Sequence, residues 1–85
     1  MKEAYYQKKI INKFETNGYY VINLIKTNKN GISDLLCLKK GEDAIFIEVK
    51  TDTGKLSELQ KFRLSEQKKK GFKVFYTKKT ELISY

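Results

Sequence analysis

The stretch Ala44-Ile-Phe-Ile-Glu-Val-Lys50 is rich in β-branched and aromatic residues and reads as a strand. Successive side chains of a strand point to opposite faces, so Ile45, Ile47 and Val49 share one side. Phe46, Glu48 and Lys50 share the other, which ends in a carboxylate and an ammonium pointing the same way. The apolar side suits a core. Just upstream, Lys39 to Asp43 forms a turn around Gly41, and Ser33 to Leu38 reads as the partner strand of a hairpin. A turn centred on Gly41 sets Asp34 directly across from Glu48, with Cβ atoms about 4.5–5.5 Å apart. Two carboxylates that close repel each other unless a cation lies between them, and a divalent ion would make them a ligand pair. A slip of one residue would send the two acids to opposite faces.

Outward from this hairpin the chain shows no linker, repeat or low-complexity segment, and residues 1–85 read as one domain. Tyr6, Ile10, Ile11 and Phe14 recur at helical spacing between Glu3 and about Thr16, and Asn17-Gly18 closes that helix. Tyr19 to Ile25 reads as a strand, followed by a polar loop from Thr27 to Gly31. After the loop Thr51 to Lys55, a second helix is expected from about Ser57 to Lys70. Ser57 is its N-cap, Gln60 stands three residues on, and Gly71 lies at the far end. Phe72 to Tyr76 is a further strand, and Leu82 to Ser84 a short last one. The order implies an α/β (α+β) fold with a mixed central sheet flanked by helices.

Composition narrows the chemistry. The chain has 85 residues and a net charge of +8, from 18 Lys and Arg against 10 Asp and Glu. That excess favours a polyanionic partner, nucleic acid first and an acidic membrane surface second. A chain this small buries only about 60% of its unfolded surface, so pairing with a second copy would thicken a thin core. No apolar run approaches the roughly 20 residues of a membrane span, and no secretory signal is expected. The single Cys37 makes no internal disulfide, in keeping with a cytoplasmic location, that of the host cell if the protein is viral. With no histidine, Ser-His and Cys-His nucleophile pairs are excluded, as are Cys/His zinc sites within one chain. Any metal must be held by oxygen, which points to Mg²⁺ or Mn²⁺. The five glycines are scattered singly, so there is no glycine-rich phosphate loop and no organic cofactor is implied.

The reaction suited to Asp34, Glu48 and Lys50 is metal-assisted phosphodiester hydrolysis. Lys50 would hold or help deprotonate the attacking water and offset charge growing on the phosphate. Glu-X-Lys by itself equally describes an ordinary ion pair on a solvated hairpin.

Gly31-Ile-Ser-Asp34, the hairpin and Ile47-Glu-Val-Lys50 together resemble the signature of the PD-(D/E)XK nuclease superfamily. More narrowly, the chain is similar to small stand-alone VRR-NUC domains of the virus type. Glu3 followed by Gln7 opens the first helix as in that family, Asn30-Gly31 precedes the acidic motif, and Gly54-Lys-Leu-Ser-Glu-Leu-Gln60 looks like the segment after its lysine. Ser33 stands where the family usually has proline, which costs rigidity before Asp34 but removes no catalytic group. The resemblance implies a restriction-endonuclease-like αβββαβ core. It implies that Asp34, Glu48 and the Val49 carbonyl ligate the metal, that Glu3 approaches it directly or through water, and that Lys50 is the catalytic lysine. Gln60 would reach the site from the second helix. Members of this size resemble Holliday-junction resolvases and tend to form homodimers, which present two active sites to the strands of branched DNA.

Plainer roles stand beside these. Glu3 also suits a helix's first turn, and Ser57-X-X-Gln60 also fits a capping box. Glu15, the other helix acid, lies near the helix end and is expected to be solvated. Lys8, Lys9, Lys29, Lys55 and Arg63, with Lys68-Lys69-Lys70, are candidates for a phosphate-binding surface. Tyr5, Tyr6 and Phe62 are candidates for a dimer interface, and Cys37 is expected to be buried and inert. The leading expectation is an endonuclease acting on branched DNA. Its rival is a non-catalytic basic module that binds nucleic acid and has no need of the acidic pair; sequence-specific cutting fits 85 residues less well.

Overall fold

The computed structural model describes residues 2–85. Helix α1 (Glu3–Thr16) leads into strands β1 (Tyr20–Asn23), β2 (Leu35–Leu38) and β3 (Ile45–Glu48), then helix α2 (Glu58–Lys69) and strands β4 (Lys73–Lys78) and β5 (Glu81–Ser84). The five strands form one sheet in the order β1-β2-β3-β4-β5. All neighbours are antiparallel except β3 and β4, which run parallel across the connection made by α2. A parallel pair needs such a crossover, whereas β2 and β3 are joined by the short turn at Gly41. The expected αβββαβ core is present, with β5 added at the edge.

The hairpin register is the one that a turn at Gly41 dictates: Leu35 faces Ile47, Leu36 faces Phe46 and Cys37 faces Ile45. Leu35, Cys37, Ile45, Ile47 and Val49 thus lie on one face, where they form the core with Tyr6, Ile10 and Phe14 of α1. The i, i+4, i+8 spacing of those three helix residues puts them on one stripe, which is why a single helix covers this face. Burial pushes the Cys37 thiol up to about 11, so it is protonated and unreactive at neutral pH. Helix α2 lies against the other face and buries Leu64 and Gln67.

Several elements differ in extent from the sequence pattern. β1 stops at Asn23 because the Ile25 N–H turns back to the Asn23 carbonyl, which takes the chain out of the ladder. Ser33 and Asp34 precede β2 and do not begin it, and β4 runs on to Lys78 because β5 pairs with it. Tyr6, taken from the sequence as an interface candidate, is 7% exposed and belongs to the core. Tyr5 and Phe62 do remain exposed, and Glu15 is solvated.

Candidate active site

The acids and the lysine converge at the end of β3. Carboxylate oxygens of Glu3, Asp34 and Glu48 lie within 4.8 Å of one another. Glu3 comes from the first turn of α1, Asp34 from the residue before β2, and Glu48 from the last position of β3. The hairpin register brings Asp34 opposite Glu48, and the Asp34 Oδ2 accepts a 2.9 Å hydrogen bond from the Val49 N–H. That bond uses an N–H at the point where the ladder ends, so it fixes the Asp34 side chain against the strand it faces. The Val49 side chain is fully buried in the core.

Glu48 is only 2% exposed. Its Oε2 accepts from Gln60 Nε2 at 3.1 Å and lies 3.5 Å from the Lys50 ammonium. Burial first, and then the negative charge of Asp34, push the Glu48 carboxyl up to about 8; Lys50 lowers it, but by less. One nearby ammonium therefore does not offset what burial and a second carboxylate impose. Three oxygen donors short of positive charge form a set that can hold a hard divalent cation.

Gln60 makes contacts that fit both readings the sequence left open. Its Oε1 accepts from the Ser57 N–H at 2.9 Å while the Ser57 hydroxyl accepts from the Gln60 N–H at 3.1 Å, which completes a capping box. The amide nitrogen is left free to reach Glu48. A cap that sets the start of α2 thereby also aims a donor into the acidic cluster.

Further residues hold the site in place through contacts that the sequence pattern did not show. The Thr77 hydroxyl, wholly buried in β4, accepts from the Lys50 N–H at 2.9 Å and so anchors the lysine's backbone after the strand ends. Ser33 is buried, and its hydroxyl donates to Gln67 Oε1 at 3.0 Å. Arg63 Nε donates to the Asn30 carbonyl at 2.8 Å. Between these two ties Gly31, at φ +75°, lies so close to α2 that a Cβ would meet the Leu59 Cγ at 2.6 Å. Helix α2 thus clamps the segment leading to Asp34 at three points, which supplies the rigidity a proline at position 33 would otherwise give. No sequence signal marks Gln67 as the partner of Ser33, since the two meet only across the fold. At Gly54 a Cβ would approach the Thr51 hydroxyl at 3.0 Å and the Lys50 Cδ at 3.5 Å, so glycine there lets the loop close over the lysine stem.

The cationic candidates scatter. Lys29 lies in the loop that forms a depression with Asp34, and Lys55 lines a cavity with Lys50. Lys8 and Lys9 line a separate depression on α1 with Tyr5. Arg63 is engaged within the fold by Asn30 and Glu66.

Fold and site together define a small α+β domain of the nuclease class. The family model for the VRR-NUC domain matches residues 19–78, and the chain belongs to that family of nucleases. A solved structure described as a VRR-NUC domain is similar over 92% of this chain and 85% of its own, at 28% identity and a TM-score of 0.81. A search of curated proteins finds no significant match.

Proposed function

We propose that this chain, as a single domain, is a Mg²⁺- or Mn²⁺-dependent endonuclease that hydrolyses DNA phosphodiester bonds. The observation that carries this reading is the convergence of Glu3, Asp34 and Glu48 beside Lys50 at the end of one strand. Asp34 and Glu48 would hold the ion with the Val49 carbonyl, and Glu3 would join directly or through water. A divalent ion held there supplies Lewis acidity to a phosphate oxygen and lowers the pKa of a coordinated water.

The protein's own groups do the positioning. The Val49 N–H orients Asp34, Gln60 orients Glu48, and Thr77 holds the backbone of Lys50. The Lys50 side chain is 13% exposed, so its ammonium sits where little water screens it. From there it orients the attacking water and offsets the negative charge that builds on the phosphate oxygens. Branched DNA, a Holliday junction foremost, is the substrate this reading favours, with a homodimer presenting two such sites. Both follow from the resemblance read in the sequence motifs, and the net charge of +8 supports a nucleic-acid substrate.

The test is cleavage of labelled four-way junction, flap and duplex DNA in Mg²⁺, Mn²⁺ or EDTA, with Lys50→Ala in parallel. Metal-dependent cutting that falls by about 10²–10⁴-fold in the variant is expected. Binding without cutting under every metal would overturn the enzyme and leave a nucleic-acid-binding module.

A further inference from the structure

We propose that the cavity beside Lys50 is a subsite for one unpaired nucleotide adjacent to the scissile phosphate. This deepens the nuclease reading and rests on it. The cavity, about 530 Å³, lies between the loop after β3, the start of α2 and the β4–β5 pair. Its size falls within the roughly 300–1,000 Å³ of sites for small organic ligands. Lys50 is both a wall of this cavity and the neighbour of Glu48, so a nucleotide seated here would carry its phosphate to the acidic cluster.

The lining has the two features that unpaired nucleic acid requires. The first is charge: Lys50, Lys55, Lys61 and Lys78 line the cavity, and no Asp or Glu does so among the described residues. Lys61 is paired with Glu58, whereas Lys55 and Lys78 have no ion-pair partner among the described residues. The second is an aromatic wall. Tyr76 and Tyr85 meet edge to face, with ring centroids 6.4 Å apart, and both line the cavity. The Tyr85 hydroxyl donates to the Lys61 carbonyl and accepts from Ser65, each at 3.4 Å, so its ring is held before any ligand arrives.

A base inside a duplex is already stacked on its neighbours and cannot lie against such a wall; an unpaired base can. The separate depression that Asp34 lines with Lys26, Thr27, Lys29 and Asn30 among others has no aromatic residue among the described residues and suits the sugar–phosphate backbone. The asymmetry favours branched DNA, where a nucleotide beside the cut can leave its pair at the branch point.

The experiment reads binding in EDTA, separately from cleavage. Fluorescein-labelled hexathymidylate and a blunt 12-base-pair duplex are titrated with wild type, Tyr85→Leu, Tyr85→Phe and the double variant Lys55→Ala/Lys78→Ala, each checked for folding by thermal melting. Loss of one stacked base is worth roughly 5- to 150-fold. Tyr85→Leu should weaken hexathymidylate binding by that amount and leave duplex binding within twofold. Tyr85→Phe keeps the ring and loses only the hydroxyl that holds it, so its loss should be smaller than that of Tyr85→Leu. The double lysine variant tests the subsite without touching Tyr85, so the proposal stays testable even where Tyr85→Leu fails to fold. Unchanged hexathymidylate affinity in the folded variants, no hexathymidylate binding by wild type, or an equal loss for the duplex, would each overturn the subsite. Failure to cut any DNA in Mg²⁺ or Mn²⁺ would instead overturn the nuclease reading, and the EDTA titrations separate the two failures.

Discussion

Glu48 combines near-complete burial with a second carboxylate across the hairpin, and both raise its affinity for a proton. In the folded metal-free protein its carboxyl is held at about 8 against an ordinary 4.5. Below pH 4.5 both the folded and the unfolded chain keep this proton, and the contribution to stability is fully present. As pH rises toward 8 the unfolded chain releases the proton first, so that contribution is lost. Thermal melting in EDTA should therefore show wild type losing more stability between pH 5 and 8.5 than Glu48→Gln does. The excess should be at least about 4 °C, the yield of 1 kcal/mol in a domain this size. Equal slopes for the two proteins would contradict the burial argument. Ser33 and Gln67 allow a second test at this scale. Among the described residues, Gln67 Nε2 has no hydrogen-bond partner, and its Oε1 is satisfied by Ser33. Ser33→Ala would leave the whole buried amide unpartnered, at a cost of about 1–3 kcal/mol by urea unfolding. Adding Gln67→Met removes the stranded polar group with little change of shape and should recover most of that loss.

Helix α2 is the element that joins stability to the site. Its capping box orders the first turn, and the same Gln60 that completes the box donates to Glu48. Ser57→Ala should cost about 1 kcal/mol of stability through the lost cap. Cleavage should also fall, because Gln60 is no longer held by two reciprocal bonds. A drop in stability with cleavage unchanged at a temperature where the variant is fully folded would show that the cap and the site are independent. The strand pair β3–β4 does the corresponding work for Lys50. Its backbone lies beyond the last residue of β3 and is held by Thr77 from the neighbouring strand.

Across the whole molecule, one face of a five-stranded sheet packs on α1 and the other carries the polar site beside α2. A chain of 85 residues buries only about 60% of the surface it exposes when unfolded, so little stability is held in reserve. Ile47 sits at the centre of the sheet with no exposed surface and packs in the cluster with α1. Ile47→Ala should cost about 2–5 kcal/mol, a large share of the 5–15 kcal/mol typical of a domain. Urea unfolding of the metal-free protein should show this loss, and a cost under 1 kcal/mol would mean that the core collapses readily around the gap.

The alternation Ile45, Ile47, Val49 against Glu48, Lys50 was legible in sequence because strand geometry alone sets which side chains share a face. The facing of Asp34 and Glu48 was legible too, since a short turn at Gly41 leaves little choice of register. Helix α1, with its stripe of Tyr6, Ile10 and Phe14, follows from spacing in the same way. What the chain could not show locally were contacts between residues far apart along it. Thr77 beneath Lys50, Gln67 against Ser33, Arg63 on the Asn30 carbonyl and Tyr85 beside Tyr76 all arise from packing α2, β4 and β5 onto the hairpin. Local periodicity determined the elements and the strand that carries the acid and the lysine. Only the tertiary structure decided which distant polar groups hold them still and what lies beside them, because burial leaves each such group the choice of finding a partner or destabilising the fold.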